Sequence, residues 1–137
     1  MSEEAAMSTL RRIVESPLGG LLGLEPVDAV ADRVRIRLGF KNEITTVADQ
    51  IHGGALAVLI DTAATAVAWS GVDPQNPPQR GTTVSLSVHY VAAARGKDVT
   101  ATATVAKRGR TLCFCLVEVH DSDGTLVARG DSVYKLG

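Results

Sequence analysis

The chain has 137 residues, 45% of them hydrophobic and 21% charged, with a formal net charge of -1. That length suits one domain, residues 1–137, built around one core, and the composition excludes a disordered chain. Basic residues scattered from Arg11 to Lys135 leave no electrostatic footprint for nucleic acid or an anionic membrane, so neither partner is expected. Aromatic residues make up only 4%, so Val, Leu, Ile and Ala must fill the core.

The N-terminal segment, about residues 3–15, reads as an amphipathic helix with Met7, Leu10 and Val14 at helical spacing, ending before Ser16-Pro17. Glu3 and Glu4 precede Arg11 and Arg12, the reverse of a signal peptide, and the expected location is cytoplasmic. Gly19-Gly20 and Gly23 read as a change of direction. A first strand is expected around Ala31 to Phe40, where Val34, Ile36 and Leu38 alternate with Arg33, Arg35 and Arg37.

An irregular stretch then leads into His52-Gly53-Gly54 and a long apolar helix in which Asp61 is the only ionisable residue between Gly53 and Trp69. The apolar run falls short of the roughly 20 residues that span a bilayer, and Asp61 interrupts it. A helix this apolar needs cover on most sides, so a curved sheet is expected to wrap it, with a second subunit closing the remainder. After a breaker-rich loop holding three of the five prolines, four strands follow: Gly81 to Val91, Asp98 to Lys107, Thr111 to Asp121 and Thr125 to Tyr134. The connections Ala94-Arg95-Gly96, Arg108-Gly109 and Ser122-Asp123-Gly124 are short enough to favour antiparallel neighbours. Cys113 and Cys115 lie two apart on one strand, without disulfide geometry, and read as small buried hydrophobes.

Asp61 carries the chemical interest, because a carboxylate entering a packed interior needs a partner or a task. The amides at Gly53 and Gly54, at the positive end of the helix dipole, suit a polarised carbonyl or another anion. Eight residues at about 1.5 Å rise separate Gly53 from Asp61 by roughly 12 Å, too far for both to act on one carbonyl carbon. Two antiparallel copies of the helix across a twofold axis remove that obstacle and predict a site shared between subunits. The competing reading makes Asp61 a carboxylate capped by Thr62, Thr65 or a partner's hydroxyl, serving helix or dimer specificity, and makes His52 a hydrogen-bonded turn residue. No metal is expected, since His52, Asp61, His89 and His120 lack a compact ligand pattern. No G-x-S-x-G elbow supports a serine hydrolase, and Ser85, Ser87 and His89 read as a polar strand face.

The run His52-Gly53-Gly54-Ala55-Leu56-Ala57 with Asp61 nine positions after the histidine, followed by GTTVSLSVHYVAAARG, KRGRTLCFCLVEVHDSDG and TLVARGDSVYKLG, resembles the hotdog-fold acyl-CoA thioesterases of the phenylacetate-pathway (PaaI-like) type from about Phe40 to Gly137. The resemblance implies an α+β hotdog fold, a curved antiparallel sheet around a long central helix, in homodimers that usually pair into tetramers. It implies that the Gly53 amide polarises the thioester carbonyl, with His52 before it. Asp61 of the opposing subunit would act as nucleophile or general base, with the Thr83 hydroxyl nearby. One position departs from the family pattern: Thr46 stands where an Asn or Gln is common, with Asn42 and Gln50 near it. The substrate would be an acyl-CoA, coenzyme A being part of that substrate and no separate cofactor. Its phosphates would fall to Arg108, Arg110 and Lys107, with Gly54 as a further binding amide and Arg80, Arg95 and Lys97 as weaker candidates. Leu56, Leu59, Ile60 and Val88 are candidate walls of an acyl pocket. The alternatives are a noncatalytic acyl-CoA-binding protein and a thioester hydratase or dehydratase.

Overall fold

Ser2 starts the first helix by accepting a 3.1 Å hydrogen bond from the Ala5 N–H on its Oγ, and Glu3 and Glu4 in the first turn complement the helix dipole as Arg11 and Arg12 do in the last. This helix, α1 (Glu3–Val14), buries Ala6, Leu10 and Val14. The computed structural model describes residues 2–137. A second helix, α2 (Pro17–Leu22), lies where the glycine pair suggests only a change of direction. Ser16 caps it through its Oγ, Pro17 takes the first turn, and Gly23 ends it at φ 76°. Gly19 is held within it because any Cβ there would lie 2.2 Å from the Val14 carbonyl oxygen.

The strand expected around Ala31 to Phe40 is the second of the fold, and an unexpected strand precedes it. Strand β1 (Leu24–Val30) and strand β2 (Arg33–Leu38) pair antiparallel around Asp32, which adopts φ 67°. Pro26 hides β1 from a sequence reading, and the structure tolerates it because β1 is an edge strand with a register shift at that point. On β2, Val34, Ile36 and Leu38 are fully buried, while Arg35 and Arg37 face Asp28 and Glu25 across the pair. The hydrogen bonds from Arg35 hold the Asp28 carboxyl below its ordinary range.

The remaining strands are β3 (Gly81–Tyr90), β4 (Val99–Arg108), β5 (Leu112–Asp121) and β6 (Leu126–Leu136), in a six-stranded antiparallel sheet ordered β1-β2-β4-β5-β6-β3. The expected β3–β4 neighbourhood is therefore wrong: β3 pairs with β6, and β4 with β2. Residues 91–98 instead cross beneath the start of the central helix, where the Ile51 N–H donates to the Ala94 carbonyl at 2.8 Å and the Gly96 N–H to the Asp49 carbonyl at 3.0 Å. Burial explains the order. Strands β4 and β5 each present an unbroken inner row, Val99, Ala101 and Ala103 on one and Cys113, Cys115, Val117 and Val119 on the other, and take the centre. Strand β3, exposed over most of its length, takes the edge.

The central helix, α3 (Gly53–Ser70), is long and apolar enough to cross a membrane, yet 56% of it is buried within the chain. It lies on the sheet with α1 against its other flank, which gives an α+β hotdog fold. Ala63, Ala64, Ala66 and Ala68 are buried, and their small side chains let the elements around the helix pack close to it. Gly130 on β6 marks the closest approach, since a Cβ there would meet Ile60 Cγ2 at 2.6 Å and the Ser87 carbonyl at 3.0 Å. Cys113 and Cys115 are buried free thiols with 3.7 Å between sulfurs, and burial pushes the Cys115 thiol up to about 12.

Two outcomes follow from this packing. Gly130→Val should lower stability by about 1–3 kcal/mol in denaturant titration, the range for overpacking a filled core, with an unchanged midpoint contradicting the close contact. In the native protein at pH 8, Cys113 and Cys115 should resist a thiol-disulfide reagent until the chain is unfolded; rapid stoichiometric labelling would show that the inner sheet face is open.

Candidate active site

Residue His52 is the N-cap of α3, and its Nδ1 accepts the Gly54 N–H at 2.7 Å. That bond needs the ring proton on Nε2. It also divides the two amides expected to act together: the Gly54 N–H is committed to His52, while the Gly53 N–H finds no acceptor among the described residues. Gly53 is fixed from the far side by Tyr90, whose hydroxyl donates to the Gly53 carbonyl at 2.7 Å and whose ring would lie 3.2 Å from a Cβ at Gly53. Tyr90 is absent from the sequence-derived site. Its signal was the period of β3, which puts Tyr90 on the helix-facing side at the strand end nearest the helix start.

Asp61 lies two turns along α3, part-buried, where its Oδ1 accepts a hydrogen bond from Thr83 Oγ1 at 2.7 Å. Strict alternation along β3 would turn Thr83 to the opposite face from Leu86, Val88 and Tyr90. A bulge prevents this: Thr83 is opposite Tyr134 but Ser85 is opposite Val133, so Val84 is an extra residue and Thr83 stays on the helix side. Tyr134 packs below the pair, 5% exposed, with its hydroxyl accepting from Trp69 Nε1 at 3.0 Å. Burial pushes the Tyr134 phenol up, and the Asp61 charge adds to the shift. Thr62 does not cap Asp61; its hydroxyl donates to the Val58 carbonyl of its own helix at 2.7 Å.

A cavity of about 420 Å³ adjoins Gly53 and is lined by Gln50, Leu56, Tyr90 and the 91–94 segment. Gln50 therefore sits beside the helix start, with its side-chain oxygen 3.3 Å from an Arg95 guanidinium nitrogen. Thr46 and Asn42 are exposed, and the Thr46 backbone closes the turn to Gln50. Leu59 and Ile60 are fully buried in the core, and of the expected acyl-pocket walls only Leu56 borders this cavity.

The basic hairpin is split in its roles. Arg108 folds back over the end of α3, donating to the Ala68 carbonyl at 3.0 Å, the Val67 carbonyl at 3.3 Å and Asp32 at 2.7 Å. There it satisfies terminal helix carbonyls, as a cation at a helix C-terminus should. Lys107 and Arg110 are exposed. Ser85, Ser87 and His89 lie on the outer face of β3, and no cluster of three metal-ligating side chains occurs among the described residues.

Set against known proteins, residues 49–128 match the thioesterase superfamily. Human acyl-coenzyme A thioesterase 13 is 31% identical over 81% of this chain and 78% of its own length. The Escherichia coli medium/long-chain acyl-CoA thioesterase YigI is 26% identical over 74% of each chain. Among solved structures, zebrafish thioesterase superfamily member 2 superposes with a TM-score of 0.83 at 28% identity, covering 100% of this chain and 99% of that one. E. coli PaaI superposes at 0.87 with 16% identity, covering 100% and 96%, a likeness of fold. The matched region holds the His52 cap, the free Gly53 amide, Asp61 and Thr83, and by that match the chain belongs to the thioesterase superfamily.

Proposed function

We propose that the protein hydrolyses acyl-CoA thioesters to coenzyme A and a carboxylic acid in a site shared by two subunits of a homodimer. The observation that carries this reading is the pairing of Asp61 with Thr83 on one strand edge while the only uncommitted glycine amide of the helix start, Gly53, lies about 12 Å away along the same helix. One chain holds both halves of the chemistry and cannot bring them together.

The edge strand β3 supplies a route to the second copy. It pairs with β6 on one side only, and it exposes Val84 at 57% and Tyr90 at 54%. An open ten-residue edge of this kind is a ready template for another strand. Antiparallel pairing of two such edges continues the sheet across a twofold axis and carries Asp61 of one subunit toward Gly53 of the other. On the outer sheet face, Leu112, Phe114 and Leu116 form an exposed apolar row on which two dimers would pair into a tetramer.

In this site the thioester carbonyl oxygen accepts the Gly53 N–H, which stabilises the oxyanion as the tetrahedral intermediate forms. Asp61 takes a proton from the attacking water, the C–S bond breaks, and that proton passes to the departing coenzyme A thiolate. Direct attack by Asp61, giving an anhydride that water then cleaves, uses the same groups. Thr83 orients the carboxylate by its hydrogen bond. Gln50, in the cavity beside Gly53, takes the water-holding place that Thr46 cannot fill from the exposed turn. Lys107 and Arg110 are the phosphate contacts of choice, because Arg108 is already engaged at the helix end.

The reading is tested by steady-state hydrolysis of a panel of aliphatic and aromatic acyl-CoAs. Asp61→Asn should lower kcat by about 10²–10⁴-fold, the range for removing a general base or nucleophile. Turnover by that variant at the wild-type rate would remove Asp61 from the chemistry. Thr83→Val should lower kcat by roughly tenfold with little change in KM, as expected for losing a hydrogen bond to a charged group; an effect confined to KM would make Thr83 a substrate contact instead.

A further inference from the structure

Two glycines open α3, and glycine is the residue that favours a helix least after proline, so the first turn has the least intrinsic order of any in the helix. The polar groups around the Gly53 N–H are nevertheless anchored. The His52 N–H donates to the Ile44 carbonyl at 2.8 Å, and the His52 carbonyl accepts the Ala55 and Leu56 N–H groups at 3.0 and 3.3 Å. The next peptide is held at both ends: its N–H, from Gly54, donates to His52 Nδ1 at 2.7 Å, and its carbonyl, from Gly53, accepts the Tyr90 hydroxyl at 2.7 Å. Of these anchors, only Tyr90 is a side chain brought from elsewhere in the fold.

Tyr90 is itself well placed to hold. It ends β3 opposite Ala128, and just beyond it the Val91 and Ala92 N–H groups both donate to the Val127 carbonyl, at 2.9 and 3.2 Å. Thr83 and Tyr90 are an odd number of positions apart, so strict alternation would turn them to opposite faces of the sheet. The extra residue at the Val84 bulge brings both to the helix side. One strand therefore reaches both candidate groups of α3, with Thr83 on the Asp61 carboxylate and Tyr90 on the Gly53 carbonyl.

We infer that Tyr90 is the positioning residue of the oxyanion donor: its hydroxyl clamps the Gly53–Gly54 peptide so that the adjoining Gly53 N–H keeps its aim on the substrate oxygen. Glycine at position 53 is part of the clamp, because a Cβ there would lie 3.2 Å from the Tyr90 ring, closer than an ordinary carbon contact, and would push the hydroxyl away. The hydroxyl commits its one hydrogen to the Gly53 carbonyl and has none to offer a substrate. Its effect therefore falls on the transition state, where the oxyanion forms, and little on substrate binding. The inference rests on the thioesterase reading, which makes the Gly53 N–H a donor to substrate.

Tyr90→Phe keeps the ring and removes the hydroxyl, and two readouts separate the clamp from the reading beneath it. The first is kcat and KM for the acyl-CoA panel. The second is the ¹⁵N-relaxation order parameter of the Gly53 amide in the ligand-free protein, which needs no turnover. In Tyr90→Phe, kcat should fall about tenfold, between the few-fold effect of one hydrogen bond and the roughly 10²–10³-fold effect of losing an oxyanion donor. KM should stay within about twofold, as for an interaction that matters only in the transition state. The Gly53 order parameter should drop from about 0.85 toward about 0.6, while that of Ala63 in the middle of α3 stays unchanged. Ser87→Ala, on the outer face of the same strand, should leave both readouts as in the wild type. A Gly53 amide loosened in Tyr90→Phe, in a protein of which neither form hydrolyses any acyl-CoA, would uphold the clamp and overturn the thioesterase reading. An unchanged Gly53 order parameter, a loosened amide with kcat intact, or a change confined to KM would overturn the inference.

Discussion

An 18-residue helix with buried side chains on most of its circumference must find cover on every side, and the arrangement of the chain follows from that need. The sheet covers one side of α3, with small residues on β4 and Gly130 on β6 allowing close approach, and α1 covers another. What remains is a stripe containing Gly54, Val58, Asp61, Thr62 and Thr65, left part-exposed beside the unpaired edge of β3. Packing thus leaves the one carboxylate of the helix at the boundary where a second chain would complete the cover.

The same boundary explains how the ends of α3 are used. At its C-terminus the carbonyls are satisfied by Arg108, and Asp32, in a left-handed turn between β1 and β2, neutralises that guanidinium. At its N-terminus only one amide of the glycine pair is taken, by His52, and the other remains directed outward. The Gly53 amide, at the first helical position that an N-cap side chain ordinarily leaves free, is the one the proposed chemistry would use, and Tyr90 steadies it through its carbonyl.

Much of this was legible in the sequence, and the failures have physical causes. The isolated Asp61 in an apolar run marked the central helix and singled out the candidate site, because burial and charge are in direct conflict there. The alternation of Val34, Ile36 and Leu38 marked β2, and the row from Cys113 to Val119 marked β5. Strand β1 was missed because Pro26 and two carboxylates disguise an edge strand, and α2 because its glycine pair reads as a turn, whereas Gly19 packs against the end of α1. The place of β3 at the sheet edge was hidden because a turn of ordinary composition can join neighbours or cross the fold, and only the competition for the buried centre decides. The Thr83–Asp61 contact depends on the Val84 bulge, which no residue pattern announced; the resemblance to thioesterases pointed to Thr83, while alternation alone turned it away. Arg108 was read as a free cation because the helix end it caps lies 40 residues away in the chain.

The central claim is that the Gly53 amide of one subunit works with Asp61 of the other, and subunit mixing tests it most directly. Gly53→Pro removes the amide hydrogen while keeping a residue favoured in the first helical turn, and Asp61→Asn removes the carboxylate. Each variant alone should be nearly inactive. Heterodimers selected by two different tags contain one site with both groups intact and one with neither, and should recover about half of the wild-type activity per dimer. Heterodimers as inactive as their parents would contradict the shared site.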